Sequence, residues 1–385
     1  MFPSDRRRRG ARGDLAGDLP RDLTRDLPAN FIEESQPAFD GLRAGSETID
    51  RRFRLTAGPA ARAALDLGRE VARGLQSEPK QLPCRFFYDE EGSRLFEEIC
   101  RTPEYYVTRA EDEILAARSD EIASAMPERT LLVELGSGNA EKTRRLIEAF
   151  LARSGVLDYM PIDISRSALE ASSRRLLAAY PALSIHALAD DYDAATEVLR
   201  AEQSRAKLVL WLGSNVGNFD RVEAARFLER ISSALAARDG LLVGIDLRKS
   251  RSVLERAYDD ARGVTARFNL NLLARINSEL GGHFDLDRFR HVALYEEHEG
   301  RIEMYLESRV PQTVRIDALD LEVSFARGER IHTENSYKYS AAEIDELCRA
   351  ARLSIERRWL DSRSLFALHL LHPSGADGAR ARGTA

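Results

Sequence analysis

Residues 130–143 read TLLVELGSGNAEKT. Leucines and a valine lead into Glu134, a strand-like run that turns through Gly136 and Gly138 into a helical pattern. Glycine permits the tight turn and lets backbone N–H groups approach a ligand closely. The next strand-like run ends in Asp163, 27 residues after Gly136, where a carboxylate can accept hydrogen bonds from both hydroxyls of a ribose. Together these features imply a nucleoside-bearing cofactor at the carboxyl end of a parallel sheet.

The chain on either side supports that sheet. Strand candidates fall at 131–135, 159–164, 184–188, 208–212 and 241–246, with helical patterns between them, such as 141–152 and 167–179. This alternation predicts a doubly wound, Rossmann-like α/β sheet with helices on both faces. Upstream, 57–76 has helical spacing and 82–106 is rich in aromatic residues. After Asp246 the pattern changes: 252–277 reads as helices, and strand-like runs follow at 291–296, 302–306, 313–316 and 322–325. A helix at 341–351 and strands at 354–360 and 364–372 close the chain. The expected organisation is a low-complexity tail (1–51), a second α+β substrate-binding lobe (52–110 with 248–338), a cofactor domain (111–247 with 339–374) and a frayed end (375–385).

Composition narrows the function. The 385 residues carry a net charge of −6, which argues against a surface built throughout for nucleic acid. Cys84, Cys100 and Cys348 are scattered, and the histidines match no metal-ligand spacing, so neither a disulfide framework nor a metal site is expected. No apolar run has the length of about 18 residues that a membrane span needs. The basic start, MFPSDRRRRG, lacks the apolar segment of a secretory signal, and a cytoplasmic location is expected. In the tail, Asp-Leu recurs at 14, 18, 22 and 26 between prolines and glycines, and Arg6–Arg9 could touch RNA or anionic lipid.

The glycine turn is not a dinucleotide fingerprint. Glu141 stands where a third glycine would be needed, and its carboxylate would repel a pyrophosphate at the helix start. Glu134-x-Gly136-x-Gly138-x-Ala140, Asp163, and Asp190-Asp191-Tyr192 after the third strand resemble the class I methyltransferases. In that class the turn passes the methionine part of S-adenosylmethionine, the second-strand acid holds the ribose and the third-strand acid reaches the adenine. The competing reading of Asp163 and Asp191 is that they cap helices. Beyond the fourth strand, LGSNVGNF (212–219) offers small residues and Asn218, both a donor and an acceptor, where a substrate would lie.

Five segments in order, LPCRFFYDEEGSRLFEEICRTPEYYVTRAE (82–111), VELGSGNAEKT (133–143), LGSNVGNF, RAYDDARGVTARFNLNLL (256–273) and HTENSYKYS (332–340), resemble the histidine Nα-methyltransferases of ergothioneine biosynthesis. The likeness covers about residues 60 to 372. It implies an S-adenosylmethionine-dependent enzyme, without a metal and monomeric, that trimethylates the α-amine of L-histidine. It implies cofactor binding by Gly136, Gly138, Lys142, Asp163, Asp191 and Tyr192. Asn218 and Tyr258 would hold the carboxylate and place the amine, Glu334 and Ser336 would grip the imidazole, and Met304 would pack near it. Tyr88 and Tyr105 would line the pocket, with Tyr88 orienting the amine. These roles agree with the chemistry, because a neutral imidazole has one N–H for Glu334 and one acceptor nitrogen for Ser336. The expectation is that Tyr88, Tyr258 and Glu334 converge in one cleft facing Gly136. Two rivals remain: the same fold acting on another amine such as a tryptophan derivative, and a non-catalytic S-adenosylmethionine-binding or RNA-associated protein.

Overall fold

The structure is a computed structural model, and it describes residues 46–58 and 67–375. The expected tail up to residue 45, part of the 57–76 helix and the end beyond 375 lie outside the described residues. The chain starts with a hairpin, β1 (Ser46–Asp50) and β2 (Phe53–Ala57), followed by α1 (Leu67–Gln76), the short β3 (Lys80–Gln81), α2 (Glu90–Cys100) and α3 (Val107–Ala125). Strands and helices then alternate: β4 (Leu131–Leu135), α4 (Arg144–Ser154), β5 (Leu157–Asp163), α5 (Arg166–Ala179), β6 (Leu183–Ala189), α6 (Tyr192–Ala201), β7 (Lys207–Trp211), α7 (Arg221–Ala234) and β8 (Gly240–Asp246). Next come α8 (Arg251–Tyr258), α9 (Val264–Leu280), β9 (Phe289–Glu296), β10 (Arg301–Ser308), β11 (Gln312–Ile316), β12 (Leu321–Phe325) and β13 (Arg330–Tyr337). The last elements are α10 (Ala341–Ala350), β14 (Leu353–Leu360) and β15 (Phe366–Pro373).

Nine strands form the main sheet in the order β1-β2-β6-β5-β4-β7-β8-β15-β14. Strands β6, β5, β4, β7 and β8 are mutually parallel, and β15 runs antiparallel between β8 and β14. This is the class I methyltransferase arrangement, with a reversed strand inserted next to the fifth. Alternate residues of the central strands feed two cores: Leu132, Leu208, Leu210 and Leu242 face one layer of helices, and Val133, Val209 and Val243 face the other.

Two boundaries differ from the sequence reading. Residues 46–57, assigned by composition partly to the tail and partly to the lobe, extend the main sheet. Phe53 and Leu55 are each 1 % exposed and pair in register with Ile185 and Ala187, so two alternating apolar residues suffice to seat the strand. The helix expected from 141 starts at Arg144, because Ala140 takes a left-handed conformation (φ 55°) and prolongs the turn.

A second sheet, β3-β13-β10-β9, comes almost wholly from the insertion after β8. The segment 334–336, which could have been a polar turn, lies inside β13. Between α8 and α9, Asp260 accepts from the N–H groups of Arg262, Val264 and Thr265, which anchors the break between the helices. The two sheets are stitched where β8 and β13 end. Tyr339 N donates to Asp246 O at 3.0 Å, and Arg248 N donates to Tyr339 O at 3.0 Å. No helix among the described residues is long and apolar enough to cross a membrane.

Candidate functional site

The glycine turn after β4 is held open from beneath. Gly136 has φ +69°, and a Cβ placed on it would lie 2.7 Å from Tyr192 Oη and 3.2 Å from Asn215 Nδ2. Only glycine leaves that space free. Gly138 (φ +51°) faces open space and donates its N–H to Asp163 Oδ2 at 3.0 Å. The other oxygen of Asp163 accepts from Ser165 N at 2.9 Å. Ser165 caps α5, so Asp163 is free of that duty and stands at the carboxyl end of β5, half-buried. Burial lifts its carboxyl above the ordinary range, and the N–H donors oppose the shift.

Asp191 does cap a helix: its Oδ1 accepts from Asp193 N at 3.0 Å and Ala194 N at 3.2 Å at the start of α6. Tyr192 follows it, and its ring packs among Trp211, Phe219 and Phe227. Lys142 pairs with Glu111, a wholly buried residue of α3 that also accepts from Gly213 N at 2.8 Å. Lys142 Nζ lies 3.4 Å from a Cβ placed on Gly213. Gly136, Gly213, Asn215, Lys142 and Tyr192 therefore border one space. It is a cradle that side chains on the glycines would fill, with a cation and a tyrosine at its edge. Glu134 serves the turn rather than a ligand: it accepts from Thr143 Oγ1 at 2.6 Å and from the Tyr159 hydroxyl. Burial pushes its carboxyl up to about 7.

A second space adjoins the first. Tyr88, Tyr105, Tyr258, Met304 and Glu334 line one narrow cavity of about 30 Å³ with Phe96 and Phe268. Tyr88 is 36 % exposed, at the mouth, and its ring meets Phe96 and Phe268 edge-on. Tyr105 stands edge-on to Tyr258, ring centroids 6.0 Å apart. Burial raises the Tyr88 hydroxyl well above its ordinary range, Glu334 adds to the rise, and Cys84 and Tyr192 contribute less. Burial likewise keeps Tyr105 and Tyr258 protonated.

The floor of the cavity comes from β13. Residues alternate across a strand, so Glu334 and Ser336 share one face. Burial pushes Glu334 up to about 7, with Lys338 opposing. Ser336 Oγ lies 2.8 Å from Tyr258 Oη, which ties it to the cavity wall. Asn218 ends a short 3-10 helix, Asn215–Asn218, that packs on β13: a Cβ on Gly217 would stand 2.7 Å from Tyr337 O. Asn218 is half-buried there and does not line the cavity itself.

Several residues of the site carried no motif of their own. Asn215 and Glu111 border the cradle, and Lys338 and Asp246 lie beneath the floor. Lys338 had one signal: at two-residue spacing it continues the face of Glu334 and Ser336.

A family model described as histidine-specific, S-adenosylmethionine-dependent methyltransferase matches residues 67–373. The chain belongs to this family. Its relatives include the histidine N-alpha-methyltransferase of Mycobacterium tuberculosis, 45 % identical over 80 % of this chain and 94 % of the relative. That of Mycolicibacterium smegmatis is 43 % identical over 80 % of this chain and 95 % of the relative. Ergothioneine biosynthesis protein 1 of Neurospora crassa is 33 % identical over 77 % of this chain, a match that spans 33 % of the fungal protein. The family is S-adenosylmethionine-dependent, and both the fold and the glycine turn fit that cofactor.

Proposed function

We propose that the protein transfers three methyl groups in succession from S-adenosylmethionine to the α-nitrogen of L-histidine, giving Nα,Nα,Nα-trimethylhistidine (hercynine), the first step of ergothioneine biosynthesis. The observation that carries this reading is Glu334 in the wall of the tyrosine-lined cavity, with Ser336 on the same face of β13 and bonded to the cavity's Tyr258. A carboxylate and a hydroxyl suit the N–H and the acceptor nitrogen of a neutral imidazole. An indole would leave the hydroxyl's donor unpaired, and an unpaired buried polar group is a strong basis for discrimination.

Bound over the Gly136 turn, S-adenosylmethionine supplies an electrophilic methyl group. Asp163 would hold its ribose, Gly136, Gly138 and Lys142 would border the methionine part, and Asp191 with Tyr192 would border the adenine. The residues of the cavity then have three tasks. They keep the α-amine neutral: a free amine titrates at about 8, and burial lowers that value. They aim its lone pair, and placement of reacting atoms about 3 Å apart accounts for a large share of such a rate enhancement. They tolerate the product, a fixed cation that the faces of Tyr88, Tyr105 and Tyr258 accept better than an aliphatic wall. Because the tyrosine hydroxyls stay protonated, they orient the amine rather than act as strong bases. Tyr88, at the mouth, can pass the proton released in each of the first two rounds to water. Asn218 and Tyr258 would hold the carboxylate, and Met304 would pack against the ring.

The test is mass spectrometry of histidine incubated with the protein and S-adenosylmethionine. A mass gain of three methyls on the α-nitrogen supports the reading. No product from histidine, with turnover of tryptophan or another amine, rejects it.

A further inference from the structure

Tyr258, Ser336 and Asp246 share one partner. Lys338 Nζ stands 2.8 Å from Tyr258 Oη, 2.8 Å from Ser336 Oγ and 2.9 Å from Asp246 Oδ2. The Lys338 and Asp246 side chains are both 0 % exposed. Asp246 is held from its other side: the Tyr106 hydroxyl donates to it at 2.9 and 2.8 Å, and Lys249 Nζ lies 2.5 Å away. Burial, the largest single influence, works against the charge on Lys338, but Asp246 and Tyr258 together outweigh it and keep the ammonium protonated. An ammonium has three donors and no acceptor. All three are spent here, one on a carboxylate and two on hydroxyl oxygens, that of Tyr258 in the cavity wall and that of Ser336 bonded to it.

We propose that Lys338 is a positioning residue for the substrate: it occupies an acceptor site on both the Tyr258 and Ser336 oxygens and so turns their two O–H protons toward histidine. The inference rests on the histidine reading above. Each hydroxyl has one donor and two acceptor lone pairs. With Lys338 donating to both oxygens, the only proton used between the hydroxyls is the one spanning their 2.8 Å gap. A substrate that brings an acceptor to each hydroxyl, a carboxylate oxygen at Tyr258 and an unprotonated ring nitrogen at Ser336, releases that bridge and takes both protons. An imidazolium or an indole presents N–H instead. It adds a second N–H donor to an oxygen already engaged by a buried cation and leaves the O–H proton without an acceptor, so Lys338 selects the neutral imidazole and the tautomer whose N–H faces Glu334. Asp246 keeps the cation in place, and Tyr106 and Lys249 fix Asp246.

The experiment compares the full chain with Lys338→Met, Lys338→Gln, Tyr258→Phe and the Lys338→Met/Tyr258→Phe pair. Lys338→Met is expected to raise the histidine KM about tenfold or more, with the Kd for S-adenosylmethionine within about twofold of the original. Lys338→Gln, which keeps two N–H donors, is expected to recover part of the loss. If Lys338 acts through Tyr258, the double variant falls no further than about threefold below Lys338→Met alone in kcat/KM. A histidine KM unchanged by Lys338→Met, or losses that simply multiply in the double variant, would overturn the proposal. Should Lys338→Met not fold, an unchanged histidine KM in Lys338→Gln overturns it equally. Absence of histidine methylation by the unsubstituted protein is a different failure, that of the functional reading itself.

Discussion

Tyr258 Oη and Ser336 Oγ, 78 residues apart in sequence, lie 2.8 Å from each other, so the last turn of α8 and the end of β13 meet at a single hydrogen bond. Removing one hydroxyl leaves the other bonded to Lys338 without its hydroxyl partner. Tyr258→Phe is therefore expected to lower kcat/KM for histidine by about 10- to 100-fold, the effect of losing one to two hydrogen bonds. Binding of S-adenosylmethionine, measured by calorimetry, should be unchanged. Equal losses in both would contradict the separation of cavity from cradle.

Glu334 makes a pH-dependent prediction. Its carboxyl is raised from 4.5 to about 7 by burial. Between these values the folded protein retains a proton that the unfolded chain has released, so the group's contribution to stability falls as pH rises through this window and is lost above it. Glu334→Gln, neutral at every pH, is expected to raise unfolding free energy by on the order of 1 kcal/mol at pH 8 and to leave it unchanged near pH 4. The same variant is expected to lose about 100-fold in kcat/KM for histidine, because an amide replaces the charged acceptor. Denaturant melts at the two pH values check the first part. An equal shift at both would show that ionised Glu334 is not strained by burial.

The two glycines of the turn should behave differently. Gly136→Ala introduces a methyl 2.7 Å from Tyr192 Oη at φ +69°, and a loss of at least about tenfold in cofactor affinity is expected from the clash and the backbone strain together. Gly138→Ala meets nothing within 4 Å and carries strain alone. Its cost is expected to be about 1 kcal/mol in stability, with cofactor affinity little altered. Equal effects would mean that the space above Gly136 is not where the cofactor lies.

Truncation separates the enzyme from an RNA-associated reading. Deleting residues 1–45 is expected to leave histidine turnover intact. Deleting residues 1–58 removes β1 and β2 and bares the edge of β6. That exposed edge is expected to make the protein aggregate, which light scattering would detect. Loss of activity with the shorter deletion would implicate the segment carrying Arg6–Arg9.

Strands β4, β7 and β8 were legible because strands buried on both faces are near-continuous runs of Leu and Val, and β4 appears at its expected bounds. The aromatic segment 82–106 and HTENSYKYS reached the site through resemblance rather than pattern, since neither has periodicity that says what it faces. Strands β1 and β2 were missed because short edge strands with one apolar face look like polar tail. Lys338 gave a weaker signal: a buried lysine contradicts hydrophobic patterning, and its pairing with Asp246 from a different sheet makes the charge tolerable. The capping role of Asp191 is local enough to read from sequence, and one of its oxygens does cap α6.

The stitching of β8 to β13 through Tyr339 has a mechanical consequence. A seam of backbone hydrogen bonds, backed by the Lys338–Asp246 pair, cannot act as a hinge without breaking both. The doorway for histidine is then expected at the segment from Cys84 to Tyr105, where Tyr88 is the partly exposed residue of the cavity lining. The bulkier trimethylated product must leave past the same tyrosine, so the pace of each full cycle can be set by how readily this wall gives way.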